Sequence, residues 1–250
     1  VLSPISWTVT DSFLVSEQAG CTEYESIVDI RVCTLTTKAH QSGKKPLVVI
    51  GLVSQKAEDR PVRGRCLVVD VTEVVPEPGR PETNRRLRVL CSADMKTTVG
   101  AVCELKGAVL VSQGARIILY AFENDDSLQG CAFVDSAIFS GRAASLDGLF
   151  ALGDIQRGLS LYAYQEEPPR IVQVGRALDA VTSRQSITAV EFLVDPTATQ
   201  SQDETVMIVS ADQLNNLYLH SYSPKHPKSV GGSKLVLRGA VRLPSSVYKL

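Results

Sequence analysis

Histidine, tryptophan and methionine are scarce in this sequence: three, one and two among 250 residues. No HExxH, GxSxG, GxGxxG or Walker phosphate-loop pattern occurs, so the common zinc-protease, hydrolase, dinucleotide and nucleotide signatures are missing. Net charge is missing too. Lys and Arg number 26 against 27 Asp and Glu, which leaves −1 and argues against a chain devoted to neutralising many phosphates. The longest unbroken apolar run, Leu47 to Val53, is far shorter than the ~20 residues a membrane helix needs, so no membrane partner is expected. The six cysteines (Cys21, Cys33, Cys66, Cys91, Cys103 and Cys131) stand singly, without a CxxC pair, and no N-x-S/T sequon accompanies them. This pattern predicts reduced, mostly buried thiols in a cytosolic or nuclear protein. The opening Val1-Leu2-Ser3-Pro4 has neither a starting Met nor the charged head and apolar core of a signal peptide.

What the sequence has in abundance is short, β-branched apolar runs separated by Gly, Pro, Asp and Asn. Ile27–Leu35, Leu47–Val53, Cys66–Val75, Leu87–Cys91, Val99–Leu105, Ala108–Ser112, Ile117–Phe122 and Cys131–Val134 all read as strands. Few stretches hold a 3.6-residue period for ten residues. The expected class is all-β.

The runs recur in fours. Val48-Val49-Ile50-Gly51 with Cys66-Leu67-Val68-Val69 resembles Phe150-Ala151-Leu152-Gly153-Asp154 with Leu159-Ser160-Leu161-Tyr162, and Met207–Asp212 with Asn216–His220 repeats the theme. The second members begin near residues 66, 117, 159 and 217, a spacing of about 40–60 residues that suits the four-stranded blades of a β-propeller. We read an incomplete, WD40-like propeller of about four blades in residues 27–250, starting near 27, 98, 138 and 187. Residues 1–26 read as a linker or incoming strand. Gly51, Gly114 and Gly153 are expected at turns between second and third strands, and Asp154 and Asp212 are expected to bind turn amides.

Chemistry-bearing clusters are few. His220 and His226, beside Pro224 and Pro227, read as exposed loop imidazoles rather than zinc ligands. Gly231-Gly232-Ser233-Lys234 precedes a strand-like run, so it reads as a turn rather than a phosphate loop. The cysteines sit inside apolar runs, where a thiol is an inert filler. No catalytic residue, metal site or cofactor is expected, and the chain reads as a non-enzyme. Two basic clusters remain: Arg60, Arg63 and Arg65, then Arg80, Arg85, Arg86 and Arg88. Guanidinium groups bind phosphate and carboxylate bidentately, so both are candidate contacts to a partner protein or RNA. No aromatic residue interleaves with them, which favours protein over single-stranded RNA.

The segment from Arg63 through Glu73-Val74-Val75-Pro76-Glu77-Pro78-Gly79 to Pro81 resembles the large, 160-kilodalton subunits of the cleavage and polyadenylation specificity factor. The likeness continues in Val99–Leu105, Gly130–Asp135, Ser160–Glu167, Val190–Asp195 and Gly231–Leu235. The splicing-factor 3b propeller subunit and the large damaged-DNA-binding protein share the strand pattern more loosely. The resemblance implies most of the third propeller of a three-propeller, non-enzymatic scaffold that acts in the nucleus on mRNA 3′ ends. It also implies WD-repeat and zinc-finger subunits as partners, with RNA reached through them. It supplies no site residues.

Overall fold

The computed structural model describes residues 7–17, 21, 24–38, 40–80, 83–135, 138–179, 182, 185–194 and 206–250. Pro81 and Asp195 of the family-like runs, and residues 1–6, 18–20 and 22–23 of the expected linker, lie outside that set. The described residues form sixteen strands and no α-helix. Sheet I holds β1 (Glu25–Thr36), β2 (Lys44–Ser54), β3 (Arg63–Glu73) and β4 (Arg85–Met95). Sheet II holds β5 (Val99–Leu105), β6 (Ala108–Gln113), β7 (Arg116–Glu123) and β8 (Ser127–Asp135). Sheet III holds β9 (Ser140–Leu146), β10 (Leu149–Asp154), β11 (Gly158–Gln165) and β12 (Arg170–Arg176). Sheet IV holds β13 (Ile187–Leu193), β14 (Val206–Asp212), β15 (Asn216–Tyr222) and β16 (Val236–Arg242). In every sheet the strands lie in chain order, the antiparallel meander of a propeller blade. The expected all-β propeller class is therefore observed.

The chain divides into two compact units, residues 1–109 with 120–129 and residues 110–119 with 130–250. In the first, the pleat of β2 sends Leu47, Val49 and Gly51 to one face and Ile50 and Leu52 to the other. The Gly51 face packs on β5, where a Cβ would stand 2.6 Å from Val99 Cγ1. A Cβ on Gly64 would meet the Thr97 carbonyl oxygen at 2.5 Å, so side chains here are limited by close backbone approach. Polar ties run alongside: Val102 N donates to Asp29 Oδ2 at 3.0 Å and Thr34 N to Glu104 Oε2 at 2.6 Å. On the other face Ile50, Leu52, Leu67 and Val69 form a cluster that Phe13, Val15, Leu87 and Val89 cover. Truncating a side chain as buried as Leu52 or Leu67 costs about 2–5 kcal/mol.

In the second unit, Ala151, Leu159 and Leu161 of sheet III join Val190, Phe192 and Ile208 of sheet IV in one buried cluster. Phe150 and Tyr162 stack with ring centroids 5.2 Å apart. Asp154 closes the β10–β11 turn as expected. Its Oδ1 accepts Gln156 N and Arg157 N, both at 2.9 Å, while Oδ2 accepts Ile138 N and Phe139 N. Asp212 does the same after β14: Oδ1 accepts Leu214 N and Asn216 N, and Oδ2 accepts Asn216 Nδ2 and Tyr218 Oη, all at 2.9 Å.

Three expectations need correction. Gly51 and Gly153 lie within β2 and β10 rather than at turns, and of the three glycines only Gly114 has a positive φ, 63°. Gly153 is needed because a Cβ there would lie 2.5 Å from Ile187 Cγ2 on the neighbouring sheet. His220 is not an exposed loop imidazole. It points from β15 into the interior with no exposed surface, and neither ring nitrogen has a hydrogen-bond partner among the described residues.

Candidate interaction surfaces

Sheet I carries all seven singled-out arginines on or beside it, but antiparallel register sends the two clusters to opposite ends. Arg63 starts β3 and pairs with Ser54, whereas Arg85 pairs with Glu73 at the far end of the same strand. Ten residue steps at about 3.3 Å put roughly 33 Å between those ends. The structure does not make them one patch.

The first cluster surrounds a cleft of about 300 Å³ where β2 ends and β3 begins. Arg65 is its floor. Its guanidinium donates from Nε to Glu25 Oε1 at 3.3 Å, reaches Asp94 Oδ1 at 2.9 Å, and donates from Nη1 to Ser92 Oγ at 3.1 Å. With its side chain only 13 % exposed, and that of Glu25 4 %, Arg65 is a structural ion-pair residue. Arg60 and Arg63 are exposed on the walls beside Lys56, and no carboxylate among the described residues pairs with them. The sequence places the three arginines together, and register then separates one from the other two.

Two of the four arginines in the second cluster have a carboxylate neighbour. Arg80 lies 3.9 Å from Glu77, and Arg85 lies 3.9 Å from Glu73, both pairs exposed to solvent. Arg86 lines a polar cleft of about 490 Å³ with Asp11, Thr83 and Val75. Arg88 is exposed on β4 opposite Asp70, whose Oδ2 already accepts Lys45 Nζ at 2.5 Å. Such exposed pairs contribute little to stability, about 0–1 kcal/mol each.

Several thiols are held protonated, and two of the imidazoles are engaged in turns. Burial pushes the Cys66 thiol up to about 12 and also raises Cys33, aided at Cys33 by Cys103 and Glu104. Burial, with a hydrogen bond to Glu25, lifts Cys21 to about 11. Thiols held protonated are poor nucleophiles and poor metal ligands. His40 Nδ1 lies 2.7 Å from Ser42 Oγ, and His226 Nδ1 accepts Lys228 N at 3.1 Å, so both imidazoles serve turns. Among the described residues no group of three His, Cys, Asp or Glu is arranged to hold a metal ion.

Sequence reasoning missed two features. One is an apolar groove of about 440 Å³ on sheet IV, lined by Leu193, Val209, Leu217, Leu219 and Val241, on the face turned away from sheet III. The alternation of Leu217 and Leu219 signals an apolar face but not whether a neighbour covers it. The other is the charge of the last blade, whose signal is the absence of acid after Asp212.

Comparison with known proteins gives this architecture a family. Residues 1–250 match the family model described as the CPSF A subunit region. Protein cft1 of Schizosaccharomyces pombe is 32 % identical over 239 residues, covering 96 % of this chain and 15 % of the relative. Protein CFT1 of Debaryomyces hansenii is 30 % identical over 247 residues, with 98 % and 17 % covered. Protein CFT1 of Saccharomyces cerevisiae is 28 % identical over 236 residues, with 94 % and 16 % covered. The chain thus spans about a sixth of the length of these relatives. A match over all 250 residues, on a chain built as successive four-stranded blades, makes this chain a member of the CPSF A subunit family.

Proposed function

We propose that the chain is part of a scaffold subunit of the pre-mRNA cleavage and polyadenylation machinery, acting in the nucleus and without catalysis of its own. The observation that carries this reading is the family match over residues 1–250 on a chain built as four-stranded blades. The mechanism is preorganisation. Blades beginning near residues 27, 98, 138 and 187 hold loops at fixed positions, so RNA-reading partner subunits with WD-repeat and zinc-finger folds lose less freedom on assembly. The uncovered apolar face of sheet IV suits a propeller whose further blades come from the rest of the protein.

Protein contact is favoured over direct RNA contact at the arginines. Lys56, Arg60 and Arg63 supply charge for carboxylates, while the residues lining their cleft include no aromatic ring on which a base could stack. Affinity recovery of the tagged, intact protein from nuclear extract at moderate salt is the test. Co-recovery of the endonuclease and polyadenylation-signal-reading subunits is expected. Recovery of splicing factor 3b or cullin-ligase subunits instead would keep the propeller and discard the pathway.

A further inference from the structure

Charge is distributed unevenly along the chain. After Asp212 no Asp or Glu occurs through Leu250, while Lys225, Lys228, Lys234, Arg238, Arg242 and Lys249 do. Six cations against no carboxylate leave the preceding 212 residues with 20 cations against 27 carboxylates. The basic end is therefore set within an acidic chain, and sheet IV carries it.

The structure gives this charge a specific place. β16 is the terminal strand of sheet IV, bonded to β15 on one side and to no strand of the described residues on the other. Residues 238–242 are exposed throughout. Arg238 Nε donates to Ser221 Oγ at 2.7 Å, which fixes its guanidinium beside the strand. Neither Arg238 nor Arg242 pairs with a carboxylate among the described residues, whereas Lys234 is taken by Asp179 at 2.7 Å. Gly239, Ala240 and Val241 lie between the two arginines, so small side chains leave the backbone edge open.

An unpaired edge accepts another strand unless something prevents it. Among the other outer strands, β4 carries Asp94 with its arginines and β8 carries Asp135 and no cation, while β12 holds Arg170 and Arg176 shortly after Glu166 and Glu167. The edge of β16, with two arginines and no acid anywhere after Asp212, repels a second copy of itself and attracts a strand of opposite charge. Arg238–Arg242 also offers no ring for base stacking, which sets RNA aside. We propose that the outer edge of β16 is a docking strand for an acidic, extended segment of a partner protein. The segment adds to sheet IV through main-chain hydrogen bonds, and its carboxylates meet Arg238 and Arg242. Only the identity of the occupant as a partner subunit rests on the scaffold reading; the edge chemistry does not.

The test uses the intact protein and three probes: a fluorescent acetyl-(Glu-Val)₄-amide peptide, the same peptide N-methylated at alternate residues, and a uridine octanucleotide. The acidic peptide is expected to bind, with affinity falling at least tenfold in R238E/R242E and severalfold in the milder R238Q/R242Q, which guards against misfolding of the first. N-methylation is expected to abolish binding, because it removes the main-chain donors. Unchanged affinity in both double variants would overturn the proposal, as would equal binding of the N-methylated peptide. Tighter, arginine-dependent binding of the oligonucleotide would replace the partner strand with RNA. None of these outcomes depends on which complex the protein joins.

Discussion

Sheets I and IV are built on the same meander but finish their connections differently. In sheet IV, and likewise in sheet III, the second and third strands are joined by three residues beneath a buried aspartate. Sheet I makes the same connection with eight residues, 55–62, and has no such aspartate; the position after Val53 is Ser54. Its strand ends are instead gathered by Arg65, which links Glu25, Ser92 and Asp94. One solution satisfies backbone donors within a turn. The other spans three strands with a side chain and leaves a loop over to carry Lys56 and Arg60. A blade can therefore be closed locally, or held at a distance while its loop is released for contact.

Removing the closures tests this division. Asp212→Ala strands Leu214 N, Asn216 N and the buried Tyr218 hydroxyl, and should cost about 3 kcal/mol. Amide exchange in the intact protein should quicken across β14 and β15 while β2 and β3 keep their protection. Equal acceleration in sheet I would show that the closures are not local. Arg65→Ala leaves Glu25 buried without its cation, and a loss of about 2 kcal/mol is expected once the exposure of Asp94 is allowed for. Arg60→Ala with Arg63→Ala should leave the melting temperature of the intact protein unchanged and reduce only partner recovery. A melting shift as large as that of Arg65→Ala would erase the distinction between floor and walls.

A third contrast is acid sensitivity. Burial lowers the His220 imidazole to about 4, against 6.5 for an open one, with Asp179 opposing the shift weakly. The unfolded chain therefore binds a proton that the folded one refuses. Stability from this group is complete above about pH 7 and is lost as pH falls from 6.5 toward 4. Between pH 7.5 and 5.5 the loss is about 1 kcal/mol, and His220→Leu should flatten that slope, read from denaturation midpoints of sheet IV. The smallest effect concerns Val230, a β-branched residue at φ 51° beside Gly231 and Gly232. Val230→Gly relieves that conformation and should slow exchange in the β15–β16 loop, a gain of about 0.5–1 kcal/mol.

Local chemistry was legible in the sequence, and partners across sheets were not. Val99–Leu105 is a strand to the residue because its β-branched run is bounded by polar turns, and Asp154 and Asp212 announce turns because a carboxylate there can reach amides two and three residues on. Glycine most often signals positive φ, so the sequence points Gly51 and Gly153 to turns. Their actual cause, Val99 on one neighbouring sheet and Ile187 on another, is not adjacent in the chain. Arg65 looked like its neighbour Arg63 because Glu25 lies 40 residues away and only register brings it close. His220 looked polar among prolines, but the face it occupies is set by pairing with Ile208 and Leu237.

The meander order of each sheet bears on how such a molecule acquires new surfaces. Every pairing joins consecutive strands, so a connection can lengthen without re-routing the chain. Closing a flexible loop costs entropy that grows only with the logarithm of its length, so passing from three residues to eight adds about 0.9 kcal/mol. That is less than the loss expected on removing Asp212. Insertions at blade ends are thus thermodynamically cheap, and the eight-residue arm over sheet I and the thirteen-residue arm between β15 and β16 are two places where this chain has used that freedom to place charge.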